Sequence, residues 1–179
     1  MKTLAEGWKW YEQAREQVGL IRRLASNYWH DLPWEGKLEK DERFKNLDHI
    51  QLEEQSRFTL EQMDDLAVLV LFSLFECQVR DRIASEISSE VSQKSVTNTV
   101  LLQAVEDLIH QVEEGSFFKL LEPFKKTDAN LVEEVNQVRR YRNWVAHGRR
   151  GAKPPSVDPA TAYNRLTEFW KRVDSSGEV

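Results

Sequence analysis

Residues 59–91 constrain the fold more than any other stretch of the chain. Apolar side chains recur there at steps of three and four residues, which is the period of one helix face. Between residues 66 and 75 the sequence is apolar on nearly every side, so this helix is predicted to be central. Thr59 and Gln62 have capping-box spacing and predict its beginning. The stripe consists of Met63, Leu66, Ala67, Val70, Leu74, Cys77, Ala84, Ile87 and Val91.

The same period predicts further helices on both sides of this one. We expect helices over residues 5–29, from about Asn98 to Gly115, over residues 127–147, and from Asp158 onward. Side-chain oxygens at helix beginnings accept hydrogen bonds from free backbone N–H groups, which makes Thr97 or Asn98, Asp128 or Asn130, and Asp158 the expected N-caps. The buried face of the helix before Gly115 is predicted to be Val100, Leu101, Ala104, Val105, Leu108, Ile109 and Val112.

The segments between these helices lack a clean period. Residues 30–57 are interpreted as a long ordered connection, with a short helix near residues 47–54. Residues 117–124 form a short apolar segment, residues 148–157 a turn, and residues 174–179 a frayed tail. We find no strand pattern and no internal repeat. The sequence predicts one all-α domain over residues 1–179, with a bundle of four to five main helices in residues 59–173 and an N-terminal helical extension in residues 1–57.

Composition narrows the class of protein. Hydrophobic residues make up 40% and charged residues 31% of the 179 residues, as in globular proteins. The net charge of -5 argues against bulk nonspecific nucleic-acid binding. The single Cys77 lies in an apolar run and is expected to be a small buried hydrophobe. We predict no metal, no cofactor, no signal peptide and no membrane span, and hence a cytoplasmic protein.

An arginine interrupts the apolar stripe of the helix predicted at residues 127–147. The stripe runs Leu131, Val135, Val138 and Val145, and the position between the last two is Arg142. A guanidinium remains charged and is rarely buried without a partner. Arg142 therefore needs a carboxylate, backbone carbonyls, an anion or a protein partner.

The carboxylate that could serve Arg142 is Glu76 on the central helix. Glu76 and Arg80 are also one turn apart, the spacing of an ordinary i,i+4 ion pair. Both interpretations of Glu76 remain open in the sequence.

The charge around Arg142 is locally one-sided. Residues 139–153 contain five arginines and one lysine but no acidic residue. A basic run without acids favours an anionic partner over a merely solvated face. The RNA-binding candidates are Arg139, Arg140, Arg149, Arg150 and Lys153.

His147 follows Arg142 by five residues, at a helix end expected to stop at Gly148. Arginine suits phosphate, and histidine transfers protons near neutral pH. Together they could cleave a phosphodiester without a metal. Residues five apart in a helix point about 140° away from each other, so convergence requires a distorted last turn or two copies that meet across a two-fold axis. His147 could instead simply cap the helix.

The segment from Arg142 through Asn143 to His147 matches the R-x4-6-H motif, and the chain here resembles HEPN domains. The resemblance covers about residues 59–172 and includes the apolar helix with Leu74-Phe75-Glu76. It implies a homodimeric bundle whose two motifs line an interface cleft. Many such proteins are metal-independent endoribonucleases, acting as toxins or antiviral effectors, that leave a 2′,3′-cyclic phosphate. A cognate antitoxin protein is a further partner that it implies.

The resemblance also implies roles for individual residues. His147 becomes the general acid/base, Arg142 binds phosphate or stabilises the transition state, and Asn143 assists. Glu76 is a weaker match to a polar residue of some members. Other members are inactive dimerisation or binding modules, which is the alternative function.

Overall fold

The computed structural model describes residues 1–38 and 40–175, and within them it contains helices and no strand. The prediction of an all-α fold is confirmed. Residues 176–179 of the expected frayed tail lie outside the described residues. The helices are α1 (Leu4–Arg23), α2 (Glu42–Lys45), α3 (His49–Gln93), α4 (Thr99–Glu114), α5 (Phe117–Leu121), α6 (Ala129–Ala146) and α7 (Pro159–Ser175). Short π-helical or 3₁₀ turns occur at Leu24–Tyr28, Trp29–Asp31, Trp34–Leu38 and Pro123–Lys126.

Helix α3 is the central element, as its apolar sequence predicts. It packs against α1, α4, α6 and α7. Its fully buried side chains are Ala67, Val68, Leu71, Phe72, Phe75 and Val79. The aromatic part of this core joins three helices, because the Phe75 ring lies 5.7 Å from the rings of both Phe117 in α5 and Phe169 in α7.

The predicted beginning of α3 at Thr59 is wrong. The helix begins ten residues earlier, at His49, where the Asp48 carboxylate accepts a hydrogen bond from the Ile50 N–H at 3.1 Å. Thr59 lies inside the helix, and its hydroxyl donates to the Gln55 carbonyl at 2.8 Å. A threonine hydroxyl can bond the preceding turn in this way within a continuous helix. The short helix expected near residues 47–54 is therefore the first part of α3.

The beginnings of α4, α6 and α7 have the predicted N-caps. Asn98 accepts from the Val100 N–H at 2.9 Å, Asp128 from the Leu131 N–H at 3.0 Å, and Asp158 from the Thr161 N–H at 3.0 Å. These bonds satisfy donors that the first helical turn leaves free.

The N-terminal helix α1 belongs to the same packed structure. Leu4 and Tyr11 are buried, and the Trp8 ring stacks on Tyr163 of α7 with centroids 4.9 Å apart. Gly7 permits a close approach to α3, because a Cβ there would lie 2.5 Å from a methyl group of Leu74.

Most of the predicted buried face of α4 is wrong. Val112 is buried and Val105 and Ile109 are half-buried, but Val100 is 77%, Leu101 55% and Leu108 46% exposed, and Ala104 is exposed too. The reason is tertiary, since α4 packs mainly along α3 and the rest of the bundle does not reach its outer side. We call Val100, Leu101, Ala104 and Leu108 the α4 stripe.

The burial predicted for Cys77 is also wrong. Cys77 is exposed, on a side of α3 that faces away from the core, and its thiol donates to Asp81 at 3.5 Å. Residual desolvation, followed by the bond to Asp81, raises the pKa of this thiol.

Two adjacent aspartates of α3 form hydrogen bonds and ion pairs with side chains of other elements. Asp64 accepts from the Tyr11 hydroxyl at 2.7 Å and pairs with Arg15, both in α1. Asp65 accepts from the Tyr141 hydroxyl of α6 at 2.6 Å and pairs with Arg149. Burial, followed by the bond to the carboxylate, raises the pKa of both tyrosines from 10.0 to about 12.

These tyrosines predict a pH dependence of stability in the alkaline range. A folded-state pKa above the unfolded-state value gives stabilisation that is complete below pH 10 and is lost as the pH rises to about 12. We expect the free energy of unfolding of the wild type to fall over this interval, and that of a Tyr11→Phe/Tyr141→Phe variant to fall less. Denaturant titrations from pH 9 to 12 measure both, with the exposed Tyr28→Phe as control. Parallel curves for wild type and double variant would contradict the assignment.

Candidate functional site

A pocket of about 170 Å³ lies between α3, α5 and the middle of α6. Four of the residues that the sequence singled out meet there: Glu76, Arg139, Arg142 and Asn143. Its apolar wall is aromatic, and Ser116 adds a hydroxyl. The lining residues are Phe72, Glu76, Ser116, Phe117, Phe118, Arg139, Arg142 and Asn143.

Arg142 enters this pocket half-buried and without a carboxylate partner among the described residues. Its guanidinium carbon lies 5.6 Å from the centre of the Phe72 ring, a cation–π contact with the core. One terminal nitrogen donates to the Asn143 side-chain oxygen at 3.0 Å. Its Nε is buried and has no acceptor among the described residues. The guanidinium thus retains donor capacity.

Glu76 is held by Arg80 rather than by Arg142. The two side chains form an ion pair with an N–O distance of 2.7 Å and are only 24% and 15% exposed. Arg80 also donates to the carbonyls of Val112 and Gly115 at the end of α4 and lies over the Phe117 ring. The i,i+4 interpretation of Glu76 is therefore the one present in this structure. The carboxylate still lines the pocket beside the arginines.

Arg139 lies one turn before Arg142 on the same face of α6. Its Nε donates to Asn136 at 3.1 Å, and its guanidinium carbon lies 5.2 Å from the centre of the Phe118 ring. Burial, followed by the neighbouring Arg140 charge, lowers the pKa of Arg139. A pocket with two half-buried guanidinium groups, whose one carboxylate is already paired, is suited to an anion.

His147 lies at the end of α6 and does not line this pocket. Its backbone N–H bonds the Asn143 carbonyl at 3.0 Å, and its side chain is exposed. Gly148 ends the helix with a φ of +73°, as predicted, and the Arg149 N–H returns to the Trp144 carbonyl at 2.8 Å. His147 caps α6 through its backbone, and its imidazole does not take part in the cap. Among the pockets described for residues 1–38 and 40–175, none is lined by both His147 and Arg142.

The remaining basic candidates lie around the helix end in different surroundings. Arg140 pairs with Glu133, and Arg149 pairs with Asp65 and also donates to Gln62 at 2.9 Å. Lys153 lies 5.6 Å from the centre of the Trp144 ring, and Arg150 is exposed.

Sequence reasoning missed three contributors to this region: Ser116, Phe118 and Lys125. The Lys125 ammonium lies 4.6 Å from the centre of the Phe118 ring, which also contacts Arg139. Their segment, residues 116–126, carried no periodic signal beyond short apolar runs. Their approach to α6 depends on the tertiary fold.

No family model, curated protein or solved structure matches this chain. In the described part of the chain, no helix has the length and apolar character needed to cross a membrane. Across residues 1–38 and 40–175, no three His, Cys, Asp or Glu side chains are grouped as a metal site.

Proposed function

We propose that this protein is a HEPN-type, metal-independent endoribonuclease whose site is shared between two copies of the chain. The observation that carries the proposal is the state of Arg142. It is half-buried in a polar pocket beside Arg139 and Asn143, and no carboxylate of the described residues pairs with it. An unneutralised guanidinium in that position is costly unless it serves an anion. Five residues later, at the end of the same helix, the His147 imidazole is exposed.

The reaction follows from these two groups. The ribose 2′-hydroxyl attacks the adjacent phosphorus while His147 accepts its proton, and a 2′-O–P bond forms. Arg142, supported by Asn143, neutralises the charge that develops on the phosphoryl oxygens. The bond from phosphorus to the 5′ oxygen breaks, and the His147 imidazolium formed in the first step donates its proton to that leaving oxygen. The products are a 2′,3′-cyclic phosphate and a 5′-hydroxyl.

The separation of the two groups within one chain supports a two-chain site. His147 is exposed at the helix end, and the pocket of Arg142 lies on another side of α6. A two-fold axis beside α6 would place the His147 of one copy opposite the Arg142 of the other and repeat the arrangement for the second pair. Arg140, Arg149, Arg150 and Lys153 would border the resulting cleft and attract RNA.

The resemblance supports a biological role as well. A ribonuclease of this type acts as a toxin or a defence effector, with a cognate antitoxin protein as its controlling partner. This role rests on the motif from Arg142 to His147.

Cleavage by the unmodified protein in a chelator tests the proposal. We expect a purified wild type, dimeric by light scattering, to degrade single-stranded RNA in EDTA and to leave cyclic phosphate ends. Those ends identify attack by the 2′-hydroxyl, which a contaminating metal-dependent nuclease does not use. Products with 5′-phosphates, or cleavage only after addition of a divalent metal, would contradict the mechanism.

A second candidate function is a non-catalytic dimerisation module. The α4 stripe favours it, because four neighbouring apolar side chains on one helix are exposed. In that case a second copy of the chain covers the stripe and no RNA is cleaved. Light scattering on wild type and on a Leu101→Glu/Leu108→Glu variant separates the two functions further, since a dimer that buries the α4 stripe is lost in this variant, whereas a dimer formed beside α6 is retained.

A further inference from the structure

We propose that Arg139, Lys125 and Phe118 form a second phosphate subsite that holds the RNA beside the phosphate bound by Arg142. This inference rests on the proposed function in one respect, the choice of RNA as the source of the phosphates. The subsite is built within one chain, whereas cleavage requires two. Its residues come from α6, from α5 and from the 3₁₀ turn at Pro123–Lys126.

Arg139 lies beside Arg142 in the structure. It lies one helical turn from Arg142 and lines the same pocket, so the two guanidinium groups face one continuous surface. Asn136 occupies only its Nε. No carboxylate within the described residues forms an ion pair with Arg139, and the pocket carboxylate, Glu76, is bound to Arg80. Among the described residues, the terminal nitrogens of Arg139 therefore have no acceptor, and they remain available to a phosphate oxygen.

Two cationic side chains lie over the Phe118 ring. The guanidinium carbon of Arg139 lies 5.2 Å from the ring centre and the Lys125 ammonium 4.6 Å from it. Both cations therefore contact the same aromatic ring, and neither forms an ion pair with another residue in the described part of the chain.

The pocket at Arg142 and Arg139 is small. A pocket of about 170 Å³ is smaller than the sites that enclose whole small-molecule ligands, which are typically about 300–1,000 Å³. This size suits the single phosphate at Arg142, so the neighbouring phosphate would lie outside the pocket, against Arg139 and Lys125. A row of cations along an aromatic surface is the arrangement that tracks a single-stranded backbone. The row Arg142, Arg139 and Lys125 would hold successive phosphates on one side of the cleaved bond.

The test measures binding in a protein that does not cleave. His147→Ala serves as the parent, and fluorescence anisotropy follows a fluorescein-labelled uridine oligonucleotide over a range of salt concentrations. Adding Arg139→Gln or Lys125→Gln is expected to weaken binding and to reduce the slope of log K against log salt by about 0.7 to 1, the change for one lost phosphate contact. Lys126→Gln is the matched control, because Lys126 is the adjacent exposed lysine. Circular dichroism verifies that each variant is folded.

The outcomes separate this inference from the proposed function. Reduced slopes without any cleavage by the wild-type protein would retain the subsite and overturn the nuclease. Cleavage by the wild type, with Arg139→Gln and Lys125→Gln binding like Lys126→Gln, would overturn the subsite and retain the nuclease. No RNA binding by any of the proteins would overturn both.

Discussion

Replacing His147 by alanine is expected to lower the rate of RNA cleavage by about 10²- to 10⁴-fold, the usual contribution of a general acid or base. The reason is chemical rather than structural. The imidazole is exposed, while the cap of α6 uses the backbone of His147. The variant should therefore fold like the wild type.

The measurement is the initial rate of cleavage in EDTA, together with the melting temperature of each protein. His110→Ala is the matched control, since His110 is an exposed histidine of α4 outside the proposed site. An unchanged rate in His147→Ala would remove the proposed mechanism. Equal losses in the His147 and His110 variants would point to a general effect of histidine replacement.

The helix ends that sequence predicted well are those with local chemistry. Asn98, Asp128 and Asp158 each cap a helix through a side-chain oxygen and a backbone N–H two or three residues later. Such bonds depend on neighbouring residues alone, and so does the left-handed turn at Gly148. A short window of sequence contains all that these features need.

The beginning of α3 was missed because local signals conflict there. Thr59 has capping-box spacing, yet ten residues before it already belong to the helix. Residues 49–58 include exposed apolar side chains such as Ile50 and Phe58, so they show no clean amphipathic period. The capping-box pattern at Thr59 permits a helix to begin there but does not require it, and α3 continues through this position.

The exposed face of α4 could not be predicted for a different reason. Its sequence is strongly amphipathic, which normally signals burial. Whether a second element covers that face depends on where the whole bundle ends. Only Val112, near the junction with α5, reaches the buried core from this helix.

The candidate site was predictable in part. The interrupted stripe identifies Arg142 from spacing alone, and α6 places Arg139, Arg142 and Asn143 together because they share one helix. The sequence offered Arg80 and Arg142 as partners of Glu76, and it could not decide between them, because Arg80 is fixed by the carbonyls of Val112 and Gly115, more than thirty residues away in the chain. Lys125 and Phe118 reach the region only through tertiary packing.

The largest expected effect is a recovery of activity when two inactive variants are combined. In a site shared across a two-fold axis, Arg142 of one copy works with His147 of the other. A dimer of one Arg142→Ala chain and one His147→Ala chain then carries one intact site and one doubly defective site. Half of the dimers in a fully exchanged equimolar mixture are of this mixed kind, so the mixture should reach about a quarter of the wild-type rate.

The cleavage rate of this mixture tests the central claim most directly. The two variants carry different affinity tags and are refolded together, so that mixed dimers can be isolated and counted. Mixing His147→Ala with the Arg142→Ala/His147→Ala double variant is the control, and it should stay inactive. The account predicts recovery to about a quarter of the wild-type rate, far above either variant alone. Mixed dimers that form but remain as inactive as the two variants would contradict a site composed of two chains.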